Sequence, residues 1–131
     1  MKKKVVFDIE TYINYTLFSF SDLDGKKFVE LEMYKGKELN RAKLKKVLQS
    51  YIIISFNGVN FDLPLTFAAI AGASCERIKY ICDSIIRTGD PGWKTCQRFN
   101  IKEFPVDHID IKEPSPGVNV SLKLYGGRLN A

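Results

Sequence analysis

Val5-Val6-Phe7-Asp8-Ile9-Glu10-Thr11 is a short apolar run that ends in two carboxylates one residue apart. Its β-branched and aromatic residues predict a buried central strand. Successive side chains of a strand point to opposite faces, so Asp8 and Glu10 stand side by side while Phe7 and Ile9 face the other way. Like charges that close repel each other, and a strand buried on both faces leaves no water to relieve them. A cation or a shared proton is therefore expected there, and a divalent metal is the stronger expectation.

Working outward, Ile52-Ile53-Ile54-Ser55-Phe56 reads as a second buried strand, parallel to the first because a helical segment precedes it. Asn57-Gly58 breaks that strand, and Pro64 is tolerated only in a first helical turn. Asn57 to Pro64 is thus a turn that opens a helix, with Asp62 at its N-terminus. If the two strands are neighbours, their carboxyl ends converge and Asp62 comes within reach of Asp8 and Glu10.

Between these stretches, residues 17–20 and 28–34 alternate, with Phe18 and Phe20 on one face and Val29, Leu31 and Met33 on another. Asp24-Gly25 suits a tight turn, so the first three strands are expected to form an antiparallel meander. From Glu38 to Tyr51 the period changes: Leu44, Val47, Leu48 and Tyr51 fall at helical spacing, and Arg41, Lys43, Lys45 and Lys46 form a solvated face. Ser74 to Thr88 predicts another helix with Ile78, Ile81, Cys82, Ile85 and Ile86 in one stripe, Ser74 as cap and Gly89 as stop. Residues 90–107 read as a long loop in which Trp93, Lys94, Arg98 and Phe99 either cover the core or stack on single-stranded nucleic acid. His108 to Ile111 reads as a short extended segment, residues 114–117 as a turn, and residues 121–129 as the start of a helix.

The 131 residues predict one domain, and 45% apolar content predicts a folded, globular chain. The longest apolar stretch, Ala68 to Ala73, is far too short to span a membrane, and the lysines before the first strand lead to no cleavage signal; a cytoplasmic location follows as an expectation. Cys75, Cys82 and Cys96 have neither disulfide nor zinc spacing and are expected to be reduced thiols. A net charge of +5 around an acidic pocket suits a polyanion whose phosphate is delivered to metal ions.

Phe7-Asp8-Ile9-Glu10-Thr11, together with Asn57 followed by Phe61-Asp62, resembles the first two motifs of the DEDD (DnaQ-like) 3′-5′ exonucleases, a family of ribonuclease H-like fold. Leu63-Pro64 is similar to proofreading domains of family B polymerases and to phage exonucleases, and Ser121 to Lys123 and Tyr125 to Leu129 also look like the phage group. The resemblance implies an α/β domain: a mixed sheet of an antiparallel meander plus a parallel strand, with flanking helices. It implies metal-dependent removal of nucleotides from a single-stranded 3′ end, DNA before RNA, in a replication or proofreading setting. A DNA polymerase is the implied partner, and the location is the host cytoplasm if the chain is phage-encoded. The cofactor implied is Mg²⁺ or Mn²⁺, two ions about 3.5 to 4 Å apart that generate hydroxide and relieve charge on the leaving oxygen. Asp8 would bridge both ions, Glu10 would hold the one that activates water, and Asp62 would hold the other. Thr11 would contact the terminal nucleotide, while Asn57 and Phe61 would shape the groove; helix packing is an equal expectation for Phe61.

A complete family site also needs a fourth carboxylate in a third motif, with Tyr four or His five residues before it. The residues four after Tyr80 and Tyr125 are Ser84 and Leu129, and five after His108 stands Glu113, in the wrong kind of segment. His108 is expected to be a packing or surface residue, and Asp107 and Asp110 to be loop or strand-end residues. The expectation is a partial exonuclease domain over residues 1–131, incomplete before that motif, with exposed apolar surface where the next helix would pack. Two other classes stay open: a nucleic-acid-binding module with impaired catalysis, and a structural subunit associated with a polymerase.

Overall fold

The computed structural model of the chain describes residues 2–111. The opening stretch forms β1 (Lys4–Tyr12), which turns through Ile13 and Asn14 into β2 (Tyr15–Ser21) and then β3 (Lys27–Tyr34). The three pair antiparallel, with Phe7 opposite Phe20, Asp8 opposite Ser19 and Phe18 opposite Leu31. The second turn is fixed by the Asp22 carboxylate, which accepts from the amides of Asp24 and Lys26, and by Gly25 at a φ of 87°. An Asp that bonds the backbone two residues ahead and a glycine at positive φ are the devices that close such a turn.

After α1 (Arg41–Ser50), β4 (Ile52–Phe56) returns parallel to β1, with Val5 level with Ile53. α2 (Asp62–Ile70), α3 (Cys75–Thr88) and α4 (Gly92–Arg98) follow, and β5 (His108–Ile111) pairs parallel to β4. The protein is thus α/β, with a mixed sheet of order β3-β2-β1-β4-β5 and β1 at its centre. The meander, the parallel strand after a helix and the two long helices all match the reading of the sequence. His108 to Ile111 extends that reading, because it lengthens the parallel half of the sheet by a fifth strand.

One face of the sheet carries the core. Val5, Phe7 and Ile9 of β1, Phe18 and Phe20 of β2, Leu31 of β3 and Ile53 of β4 are buried, and the Phe7 and Phe20 rings stack 4.6 Å apart. The same cluster takes Leu44, Val47 and Leu48 from α1, Leu65, Ala68 and Ala69 from α2, and Ile78, Ile81, Cys82 and Ile85 from α3. Each large aliphatic or aromatic side chain so buried contributes about 1.5 to 3 kcal/mol by leaving water. Alternation along β1 then sends Asp8 and Glu10 to the face opposite Phe7 and Ile9.

The helix ends follow local chemistry. Asn40 accepts from the Lys43 amide at the start of α1, and Ser74 from the Arg77 amide at the start of α3. α3 stops at Gly89, whose φ of 67° suits glycine and whose amide donates to the Ile85 carbonyl. Pro64 sits third in α2, in the first turn as expected. All three cysteines are buried and free.

Two expectations are corrected. Residues 90–107 are not simply a loop, since 92–98 form α4, whose Cys96 packs with Leu63 and Phe67 in a second small cluster. A seven-residue helix is too short for its periodicity to show, and Pro91-Gly92 at its start has the composition of a turn. Ile86 is not part of the α3 core stripe but is 65% exposed, one position beyond the buried face that ends at Ile85. The turn and helix expected over residues 114–129, together with Glu113, lie outside the described residues.

Candidate functional site

Where β1 and β4 end, their carboxyl termini and the start of α2 enclose a pocket of about 420 Å³. Glu10, Thr11 and Tyr12 enter it from β1, Phe56 from β4, Phe61 and Asp62 from the α2 N-terminus, and Cys82 from α3. Parallel pairing of β1 with β4 makes this meeting possible, because it sets both carboxyl ends on the same edge of the sheet.

Asp62 is 2% exposed and opens α2, where a negative charge is favoured by the helix dipole. Asp8 is 7% exposed and lies two residues before Glu10 on the same face of β1, deeper in the sheet. Both aspartates have interaction partners in the structure. Glu10 differs: its Oε1 is buried and finds no hydrogen-bond partner among the described residues. Burying an unbonded carboxylate oxygen is costly, so this atom is a position where a bound ligand would lower the energy.

The chemistry of the donors is that of hard oxygen ligands, suited to Mg²⁺ or Mn²⁺. Among the described residues no three His, Cys, Asp or Glu side chains come together closely enough to hold one ion. The pocket offers two carboxylates, Glu10 and Asp62. Mg²⁺ is commonly held by one or two carboxylates with water and substrate phosphate completing its octahedron, so that pair fits it.

The other expected site residues divide. Thr11 and Phe61 both line the pocket, and Phe61 also packs against the core. Asn57 is not among the lining residues; it stands at a φ of 51°, and its Oδ1 accepts from the Asn60 side chain inside the turn. Tyr12 went unnoticed in the sequence yet lines the pocket with a ring that is 46% exposed. Its signal was alternation: Tyr12 continues the Asp8, Glu10 series by two residues. Tyr12 and Tyr15, and Tyr15 and Tyr34, are neighbours across the strands with ring centres 6.3 and 6.2 Å apart. Burial, and then the hydrogen bond the Tyr15 hydroxyl donates to Glu32, push that hydroxyl far above its ordinary range, so it stays protonated.

Of the aromatic and basic residues in 90–107, Trp93 on α4 is 63% exposed. Arg98 is engaged by the Asp90 carboxylate and the Ser84 hydroxyl and lies over the Phe99 ring. Burial, with Glu103 nearby, pushes the Cys96 thiol up to about 11, which makes it an inert packing group. A second cavity of about 590 Å³ lies at the tip of the meander, and Lys35, Lys37 and Arg41 are among the residues lining it.

No helix among the described residues is long and apolar enough to cross a membrane. No family model matches the chain, nor does any curated protein or solved structure.

Proposed function

We propose that the protein is a metal-dependent 3′-5′ exonuclease of the ribonuclease H-like, DEDD type, acting on the single-stranded 3′ end of DNA in replication or proofreading, alongside a DNA polymerase. The observation that carries this reading is the pocket in which Glu10, with its unbonded buried oxygen, meets Asp62 from a segment more than fifty residues away. Both come from the two stretches that resemble exonuclease motifs. The mixed sheet is of the kind that resemblance implies.

Bound Mg²⁺ or Mn²⁺ would supply hydroxide at neutral pH and charge relief on the leaving oxygen, with Glu10 and Asp62 as the pocket carboxylates to hold it and Asp8 deeper on the same strand face as Glu10. The chain's own part is binding and placement. Thr11 offers a hydroxyl and backbone groups to the terminal nucleotide, and Tyr12, Phe56 and Phe61 offer ring faces to its base or sugar. Lys35, Lys37 and Arg41 beside the second cavity suit the phosphates of a polyanion.

A second reading, a nucleic-acid-binding module with impaired catalysis, is favoured by the sequence: Ser84 and Leu129 stand four residues after Tyr80 and Tyr125, where a third exonuclease motif would have a carboxylate. A single experiment separates the two. A 5′-labelled single-stranded DNA oligonucleotide is incubated with Mn²⁺ and either the unmodified chain or Asp8→Ala. A ladder that shortens from the 3′ end with the unmodified chain alone is the expected result. Binding of the oligonucleotide without any ladder would replace the exonuclease by the binding module.

A further inference from the structure

We propose that Asp110 is a positioning residue for the pocket: from β5 it holds the turn after β4 in the shape that brings Asp62 beside Glu10. The inference rests on the reading of that pocket as a metal site. Asp110 is not among the residues that line the pocket, and its position level with Ser55 puts it one strand further out.

Two amides of the turn find their partner on β5. Asp110 Oδ1 accepts from the Gly58 amide at 3.0 Å, and Oδ2 from the Val59 amide at 3.3 Å. Those two amides follow the last residue of β4 and need partners of their own, and a carboxylate is the strongest neutral-pH acceptor a side chain offers. The carbonyl of Gly58 then accepts from the Leu63 amide at 2.8 Å. A continuous path therefore runs from the Asp110 carboxylate through the Gly58 peptide to the residue next to Asp62. Asn57 adds two bonds in the same turn, its carbonyl accepting from the amides of Asn60 and Phe61 at 3.1 Å each.

Space fixes the turn as firmly as hydrogen bonding. A Cβ on Gly58 would lie 1.7 Å from the Ser55 Oγ, so only glycine allows the turn to press against the end of β4. Ser55 is itself immobilised by a hydrogen bond to His108 Nε2, which places a second β5 side chain under the same turn. On the far side Asn60 Oδ1 accepts from the Gly92 amide at 2.8 Å, tying the turn to α4. β5 and α4 thus grip it from two sides, and Asp110 is the grip nearest Gly58. The alternation of β5 sets this up, because His108 and Asp110 share the face that carries Ser55.

The test uses the full chain with Asp110→Ala and the milder Asp110→Asn, whose single side-chain oxygen can serve only part of the amide pair. Leu31→Ala, in β3 and remote from the turn, supplies a control of lowered stability without a change at the turn. Two readouts are taken: amide hydrogen exchange at Gly58, Val59 and Leu63, and Mn²⁺ affinity of the metal-free protein from the resonance signal of free Mn²⁺. In Asp110→Ala exchange at the three amides is expected to quicken about tenfold. Mn²⁺ affinity is expected to fall by about 10-fold or more, the usual effect of losing an outer partner of a metal site. Asp110→Asn should fall between Asp110→Ala and the unmodified chain, and Leu31→Ala should leave both readouts at the level of the unmodified chain. Should Asp110→Ala fail to fold, Asp110→Asn decides by the same two readouts. Unchanged exchange and affinity in the Asp110 variants, or changes no larger than those of Leu31→Ala, would overturn the proposal. If the unmodified chain takes up no Mn²⁺ while exchange at the turn still depends on Asp110, the metal reading fails and the grip on the turn stands.

Discussion

Among single residues, His108 shows how an ordinary packing role acquires a measurable consequence. Half-buried on β5 and bonded to Ser55, its imidazole loses water, and that burial lowers its pKa below 6.5, against an upward pull from Asp110. Because the unfolded chain binds the proton more readily, folding loses free energy as the pH falls through 6.5 toward the lowered value, and this penalty is absent above 6.5. Urea midpoints measured at pH 7.5 and pH 5.5 should therefore drop for the unmodified chain, and His108→Asn should lessen the drop. An equal drop in both proteins would mean that His108 is not the group responsible. The sequence suggested only a packing or surface role for this residue, and nothing local to it could show that Ser55 would be its partner. The same limit applies to Asp110, which as a strand-end carboxylate gives no hint of two amides from a turn 52 residues earlier.

At the scale of elements, the short helix α4 is the part least visible in the sequence and yet it braces the turn that carries Asp62. Its first residue, Gly92, is buried and approaches the turn so closely that an added Cβ would lie 1.9 Å from the Val59 carbonyl oxygen. Backbone cannot yield as a side-chain tip can. Gly92→Ala should then destabilise the fold by about 1 to 3 kcal/mol, as forced overpacking does, with a lower urea midpoint as the observable. A midpoint unchanged within error would show that α4 can shift away without loss. By contrast α1 and α3 were legible, because apolar residues repeat at helical spacing in both, Ser74 caps α3, and Gly89 ends it in the left-handed conformation. Helices of 10 and 14 residues repeat their pattern often enough to be read; seven residues do not.

For the molecule as a whole, metal binding and stability are one quantity if the pocket is a metal site. A ligand that binds only the folded state stabilises it by about 2.7 kcal/mol at 100 times its dissociation constant. Thermal unfolding should therefore shift upward with added Mn²⁺ in the unmodified chain, and Glu10→Ala should remove most of the shift. Equal shifts in the two proteins would place the bound ion elsewhere. The charge pattern adds to this picture: the chain carries +5, while its central strand brings Asp8 and Glu10 to one face of the sheet. Strand β1 holds them there because antiparallel β2 pairs with it on one side and parallel β4 on the other, leaving its alternation no freedom.

What the sequence determined by itself depends on near neighbours along the chain. Alternation put Asp8 and Glu10 on the face opposite Phe7 and Ile9, Asp24-Gly25 closed a hairpin, Pro64 marked a first helical turn, and the period of 74–88 made a helix. The antiparallel meander and the parallel return of β4 followed from those elements and the lengths between them. Tertiary structure decided what lies between distant segments: that β5 would extend the sheet with His108 level with Ile53, that Tyr12 would line the pocket with Asp62, and that Asp110 would clasp Gly58 and Val59. Those contacts join residues about fifty or more positions apart, and no local periodicity encodes which partner such a side chain will meet. Only the packing of the helices against one face of the sheet and the register of its strands fix them.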